Sequence, residues 1–252
     1  MEFGLLGKSI SYSFSPILHE ILGSKPYELI ELEEDKIEDF FKKKDFKGIN
    51  VTIPYKKIAM EYCDFVDPAA ARIGNVNTIL NKSGKLYGYN TDYYGFTYTI
   101  NKLGIDVRNT KPLIVGGGAT YNTVRVALED LGVSNILNVS RKGINKLDDF
   151  DYYKEADFLI NCTPIGNNLH LDIEFPIDIR KLNKIKYLVD LNYNPLEIKL
   201  VCQAKKLGAK ASTGLLMLVA QAVKSSEIFQ GKRLEEEKID EVLMEMRKII
   251  CK

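Results

Sequence analysis

Short apolar runs alternate along the chain with stretches whose apolar residues recur every three or four positions. This is the pattern of strands and helices in turn. Strands are predicted at Phe3–Gly7, Tyr27–Leu32 and Gly48–Thr52. Val76–Leu80 and Lys85–Tyr89 flank Asn81-Lys82-Ser83-Gly84 and read as a hairpin. Helices are predicted from Ser15-Pro16 to Gly23, with Ser15 as N-cap, over Asp35–Lys44, from Pro54 onward, and over Tyr93–Leu103 with Gly104 as its stop. Beyond residue 110 the strands are short and wholly apolar: Lys111–Val115, Ile136–Val139, Phe158–Asn161 and Tyr187–Leu191. A helix to about Leu131 and three more over Leu196–Lys206, Leu215–Phe229 and Leu234–Ile249 complete the pattern. Repeated β-α-β alternation with apolar strands implies an α/β chain whose parallel sheet is covered on both faces.

Composition narrows the classes. The chain has 252 residues, 35 Lys+Arg and 34 Asp+Glu, a formal charge of +1. That is room for one large or two modest domains, and it argues against binding nucleic acid by bulk phosphate neutralisation. The longest apolar run, Leu215–Ala220, is far short of the ~20 residues of a membrane span. The N-terminus lacks the basic segment and long apolar core of a secretion signal. Only His19 and His170 are histidines, which excludes a His-rich metal site. Cys63, Cys162, Cys202 and Cys251 form no C-x-x-C pair, so reduced thiols, a cytoplasmic location and no metal are expected.

Two regions carry candidate chemistry. In the first, Pro112–Val115 runs into Gly116-Gly117-Gly118-Ala119 and then a helix. Glycines there let the backbone turn tightly and approach a pyrophosphate, while the helix directs free N–H groups at it. Gly116 and Gly118 match G-x-G-x-x-G, with Tyr121 at the third glycine position; a glycine turn without a ligand is the plain alternative. The next strand ends in Ser140-Arg141-Lys142 rather than in an acid, which suits a ribose 2′-phosphate and therefore NADP better than NAD, unless those cations are merely solvated. In the second region polar residues gather at element ends: Ser13 and Ser15, Thr52 and Lys56, Asn77, and Asp92. Lys56 opens a helix, where the dipole opposes a cation. Singly, each has a bland reading: Ser15 and Asp92 as N-caps, Thr52 as a strand residue, Lys56 as a solvated cation, Asn77 as a turn residue.

Together these strings resemble the shikimate dehydrogenases. Ser13-Phe14-Ser15-Pro16, Asn50-Val51-Thr52-Ile53-Pro54-Tyr55-Lys56, Val76-Asn77-Thr78, Asn90-Thr91-Asp92, Asn161-Cys162-Thr163-Pro164-Ile165-Gly166 and Gly214-Leu215-Leu216-Met217-Leu218-Val219-Ala220-Gln221-Ala222 occur in that family's order. The resemblance implies an N-terminal α/β substrate domain, residues 1–92 with about 230–252. It also implies a Rossmann-like NADP-binding domain over 93–229, with the C-terminal helices returning to the first domain and the site in the cleft between them. It implies Lys56 and Asp92 as the catalytic pair, and Ser13, Ser15, Thr52, Asn77, Tyr193 and Gln221 as substrate contacts. Gly116, Gly117, Gly118, Ala119, Ser140, Arg141, Lys142, Thr163, Gly214 and Met217 would hold the cofactor.

The implied reaction is reversible NADP-dependent reduction of 3-dehydroshikimate to shikimate by a monomer or homodimer with small-molecule partners only. Quinate oxidation with NAD, or a non-catalytic dinucleotide sensor, are the alternatives. Departures from the family fall on the cofactor side: Tyr121, Asn122, Leu216, and a stretch from Lys142 to Ala156 too short for the usual crossover, which predicts a trimmed cofactor domain.

Overall fold

The computed structural model describes residues 1–141, 147–182, 184–235 and 237–251. The chain divides into two compact units, Met1–Gly95 with Val219–Val242, and Phe96–Leu218 with Leu243–Lys252. Both are α/β.

The first unit opens with β1 (Phe3–Gly7), α1 (Ser15–Ile21), β2 (Tyr27–Glu31), α2 (Ile37–Lys43), β3 (Gly48–Val51) and α3 (Lys56–Glu61). β4 (Phe65–Val66), α4 (Pro68–Ile73), β5 (Thr78–Lys82), β6 (Lys85–Tyr89) and the start of α5 (Thr91–Lys102) follow. Its mixed sheet runs β2-β1-β3-β5-β6-β4. β1 is parallel to β2 and β3, whereas β5 is antiparallel to β3 and β6. β1 and β3 are buried along their whole length, which is why they read as continuous apolar runs. Leu6, Ile37, Phe41, Ile49, Tyr55 and Ile79 form the core.

Several local expectations are corrected here. Ser15 is the first helical residue of α1 rather than its cap; Phe14 holds the cap position without a side-chain bond, and Pro16 supplies the preset φ. The helix expected from Pro54 begins at Lys56. The hairpin turn has two residues, not four: Lys82 pairs with Lys85, while Ser83 and Gly84 have φ of 50° and 81°. Two consecutive positive φ values match the twist of the flanking strands. α4 was not expected, although Asp67, which accepts hydrogen bonds from Ala69 and Ala70 N–H, and Pro68 at its start are standard opening signals.

The second unit contains β7 (Pro112–Val115), α6 (Ala119–Asp130), β8 (Leu137–Val139), α7 (Phe150–Tyr153), β9 (Phe158–Asn161), β10 (Tyr187–Asp190), α8 (Lys199–Lys206) and β11 (Lys210–Thr213). The strands are all parallel, ordered β11-β10-β9-β7-β8. β7 is first in sequence but lies inside the sheet, so the chain leaves it toward β8 and then crosses to β9 on its other side. That reversal is a topological switch point, the feature that defines a ligand crevice at the carboxyl ends of such strands. The only helix in the crossover from β8 to β9 among the described residues is the short α7. Lys142, an expected cofactor contact, lies outside the described residues. Leu113, Val115, Val139, Leu159, Leu188 and Val201 lie in the core.

α9 (Leu215–Gln230) and α10 (Glu237–Ile250) finish the chain, and the boundary between the units falls inside each of them. Among the described residues no helix is long and apolar enough to cross a membrane.

Candidate functional site

In the first unit, Lys56 Nζ donates to Asp92 Oδ2 at 2.5 Å, with side-chain exposures of only 12% and 14%. Lys56 is therefore no solvated surface cation. It opens α3 and Asp92 lies in the first turn of α5. A helix N-terminus disfavours the ammonium and favours the carboxylate, by roughly 0.3–1 kcal/mol each at exposed sites. Asp92 is thus stabilised where it stands and offsets the opposed placement of Lys56. Nor is Asp92 the cap of α5: Asn90 Oδ1 accepts from Tyr93 N–H and fills that role, while Asn90 Nδ2 donates to Asn75. The carboxylate is left for Lys56.

A buried polar network adjoins this pair. Thr91, the residue before Asp92, gives its N–H to Asn77 Oδ1 at 2.6 Å and accepts from Asn77 Nδ2 at 3.0 Å. Its hydroxyl is also 3.4 Å from Gln221 Oε1 and 3.0 Å from Ser225 Oγ. Asn50 Nδ2 donates to Ser225 Oγ at 2.7 Å and to Thr78 Oγ1 at 3.0 Å, and Asn50 Oδ1 accepts from Tyr27 Oη at 2.8 Å. Ser13 and Ser15 pair with each other: Ser13 Oγ donates to Ser15 Oγ at 3.1 Å and Ser15 N–H donates to Ser13 Oγ at 3.2 Å. One chain of hydrogen bonds therefore runs from Tyr27 through Asn50 and Ser225 to Thr91, the residue beside Asp92. Asn77 and Gln221 belong to this network, the Lys56–Asp92 pair adjoins it through Thr91, and Ser13 and Ser15 form a pair of their own. Thr52 stands apart from it: its backbone bonds Leu6 O and Tyr55 N–H, and its methyl packs where any side chain at Gly7 would collide, 2.8 Å from an added Cβ.

Asn50, Thr91, Tyr27 and Ser225 were not singled out in the sequence. Asn50 and Thr91 lay inside quoted strings, hidden by the more reactive Lys56 and Asp92. Ser225 and Ser226 are fully buried on α9, but among Gln221, Lys224 and Glu227 on the same helix nothing in the sequence set them apart. His19 is explained here too. It is 1% exposed, stacks on Tyr27 with ring centroids 4.2 Å apart, and its buried Nδ1 has no hydrogen-bond partner among the described residues. Burial pushes its pKa down to about 3, so it stays neutral and structural.

In the second unit the glycine turn joins β7 to α6. Gly116 has φ of 123°, and a side chain there would press on the Cys162 backbone at 3.3 Å. A Cβ at Gly117 would sit 3.1 Å from Ser140 Oγ, whereas one at Gly118 would meet nothing within 4 Å. Gly118 caps α6 in extended conformation without a side chain, leaving the first N–H groups of Ala119 and its successors open. Asn138 fixes the turn by donating to Ile114 O at 2.9 Å and Gly116 O at 2.8 Å. Ser140 and Arg141 follow β8, and Arg141 is exposed. A tight turn, open space beside Gly118, a helix N-terminus and a guanidinium at the neighbouring strand end are what a dinucleotide phosphate group needs, so the residues present fit one. Thr163 gives its N–H and hydroxyl to Asn161 Oδ1 at 2.9 and 2.7 Å, at the end of β9. Gly214 packs so tightly that a Cβ would lie 2.1 Å from Leu191 O. Tyr193 is half-buried in the loop after β10, and Met217 is buried in the first turn of α9. Among the described residues no cluster of three or more His, Cys, Asp or Glu could hold a metal.

This parallel sheet, with a glycine turn at its switch point, is a Rossmann-like unit. Residues 5–79 match the family model described as the shikimate dehydrogenase substrate binding domain. The shikimate dehydrogenase (NADP(+)) of Clostridium beijerinckii is 39% identical, over 93% of this chain and 94% of its own. The crystal structure of shikimate dehydrogenase 1 from Peptoclostridium difficile is similar with a TM-score of 0.86 at 33% identity, covering 98% of this chain and 97% of that one. The Thermus thermophilus shikimate 5-dehydrogenase, solved with NADP(H) and shikimate, aligns with a TM-score of 0.83 at 28% identity, covering 97% and 99%. The chain belongs to the shikimate dehydrogenase family.

Proposed function

We propose that this chain is an NADP-dependent shikimate dehydrogenase that reversibly reduces 3-dehydroshikimate to shikimate. The observation that carries the reading is the half-buried Lys56–Asp92 pair at 2.5 Å beside a network of hydroxyls and amides. The names of the relatives, shikimate dehydrogenase (NADP(+)), agree with it.

NADP would be held by Gly116, Gly117, Gly118, Ala119, Ser140, Arg141, Lys142, Thr163, Gly214 and Met217, and when bound it supplies the hydride donor or acceptor. The protein supplies the proton. Oxidising the alcohol breaks a C–H bond toward the cofactor and an O–H bond toward a base; Lys56 as free amine takes that proton, and as ammonium returns it to the ketone oxygen in reduction. Asp92 fixes the amine in place, because a misplacement of about 1 Å can cost ~100-fold in rate. Ser13 and Ser15 present adjacent hydroxyls to the substrate carboxylate. Thr52, Asn77 and Gln221 would hydrogen-bond its ring hydroxyls, and Tyr193 would close over it. The first unit is the substrate domain and the second the cofactor domain. The chain works as a monomer or homodimer in the cytoplasm, where Cys63, Cys162, Cys202 and Cys251, all free, stay reduced.

The test is an assay of purified protein with shikimate or quinate and NADP or NAD, following reduced-nicotinamide absorbance. Turnover of shikimate with NADP is expected. Preference for quinate and NAD, or dinucleotide binding without turnover, would replace this reading.

A further inference from the structure

The carboxyl ends of β9 and β10 hold an arrangement that the reaction does not use directly. Asp190, the last residue of β10, is fully buried, and no cation pairs with it among the described residues. Its Oδ2 accepts from Asn161 Nδ2 at 3.0 Å, and its Oδ1 accepts from Asn192 N–H at 3.0 Å and Asn192 Nδ2 at 2.8 Å. The two asparagines carry the order outward. Asn161 Oδ1 receives both donors of Thr163, and Asn161 Nδ2 also reaches Ile165 O at 3.1 Å. Asn192 Nδ2 reaches Thr163 O and Ile165 O, each at 3.0 Å, and Asn192 O accepts from Gly214 N–H at 2.8 Å. One carboxylate thus anchors three separate stretches of chain: the loop after β9, the loop after β10, and the residue that opens α9.

Burying an unpaired carboxylate costs several kcal/mol, and an apolar residue would satisfy packing alone. What the carboxylate offers is acceptor capacity for three donors at once. Burial has a visible effect on its surroundings. The Asp190 pKa is pushed up to about 6, and the thiol of the neighbouring, partly buried Cys162 is pushed well above its ordinary value by desolvation, with the Asp190 charge adding to it.

We propose that Asp190 is a positioning residue whose carboxylate, acting through Asn161 and Asn192, sets Thr163, Tyr193 and Gly214 in the geometry that a bound dinucleotide requires. This rests on the reading of those three as cofactor and substrate contacts. Asp190→Asn keeps size and shape but turns one acceptor oxygen into an N–H₂ that faces the Asn161 N–H₂. Removing the buried charge leaves thermal stability unchanged or higher, while the loops lose their common anchor.

The experiment uses the full chain in three forms: unaltered, Asp190→Asn and Asn192→Ala. Melting temperature, NADP affinity by titration calorimetry, hydrogen exchange without cofactor, and the KM values for NADP and shikimate are measured on each. In Asp190→Asn, NADP binding weakens and its KM rises about tenfold (~1.4 kcal/mol), the shikimate KM rises by a smaller factor through Tyr193, and exchange quickens together in 161–166, 190–194 and 214. Asn192→Ala, which keeps the carboxylate and its Asn161 and Asn192 N–H donors but removes the side chain that links the loops, shows the same pattern more weakly; if Asp190→Asn does not fold, this variant decides alone. NADP affinity within twofold of the unaltered chain, or faster exchange confined to the end of β10, overturns the proposal. Absence of NADP binding by the unaltered chain would instead refute the cofactor reading, and the exchange data would still decide whether Asp190 couples the three segments.

Discussion

The two units build their candidate chemistry from different materials. In the first, the work falls to side chains: a lysine, an aspartate and a relay of hydroxyls and amides that leaves few of its own donors idle. In the second, it falls to backbone: a glycine turn, a free helix end, and a glycine pressed against a neighbouring carbonyl, with side chains such as Asn138 and Asp190 serving to hold main chain in place. The lesson is that substitutions of the site side chains in the first unit should alter chemistry while sparing the fold, whereas at Gly214 in the second the smallest added group should disturb the architecture itself.

The sharpest way to break that contrast is Lys56→Ala. It is expected to lower kcat by about 10²–10⁴-fold, the range for losing a general acid–base, with little change in KM or melting temperature; steady-state kinetics with shikimate and NADP checks it. Next is Gly214→Ala, which forces a methyl to within 2.1 Å of Leu191 O. A backbone clash of this kind is expected to cost more than about 3 kcal/mol, seen in chemical denaturation as loss of structure in the second unit.

A pH series separates the units by sign. His19 has a folded pKa of about 3 against an ordinary 6.5, so the first unit keeps its full stability above pH 6.5 and loses up to roughly 5 kcal/mol as pH falls through that value toward 3. Asp190 has a folded pKa of about 6 against 3.8. Its contribution is most favourable below about pH 4, and roughly 3 kcal/mol is lost as pH rises from there through 6. Hydrogen exchange resolved by unit between pH 4 and 7 is expected to show opposite slopes once intrinsic rates are removed, and parallel slopes would undo the assignment.

Smaller effects follow. Ser225→Ala deprives Asn50, Thr78 and Thr91 of a shared partner, and is expected to cost about 1–2 kcal/mol, measured by denaturant midpoint. Arg141→Asp is expected to weaken NADP more than NAD, by about tenfold for a lost charge-assisted contact; equal losses by calorimetry would remove Arg141 from the 2′-phosphate.

Legibility in the sequence followed the same division. Strands buried on both faces, such as β1, β7 and β9, were visible as apolar runs, and the glycine turn was visible because few other residues could stand there. β11 was missed because Lys210-Ala211-Ser212-Thr213 is an edge strand with no apolar run. The short β4 was missed as well, and α7 is a single turn opened by Asp149 rather than by hydrophobic period. On the site, Lys56 was legible as a cation out of place at a helix N-terminus, whereas Asp92 passed for an N-cap and stood out only within the string Asn90-Thr91-Asp92. Their mutual contact was not legible, because it joins residues 36 apart that no local pattern encodes; the cap at Asn90, three residues before Tyr93, is a local signal that Asp92 masked. Asp190 was invisible for the opposite reason: an aspartate at a strand end reads as an ordinary turn residue until burial is known.

α9 has a consequence of its own. It starts at Leu215, ends at Gln230 and passes from one unit into the other without interruption. Met217 and Gln221 are four residues apart, so they ride on the same stripe of that rod about 6 Å from each other. A one-residue insertion between them would swing one against the other by about 100°, with no loop available to absorb it. The spacing of these two side chains is therefore set like marks on a ruler, and length changes in this protein should be tolerated almost anywhere sooner than in these sixteen residues.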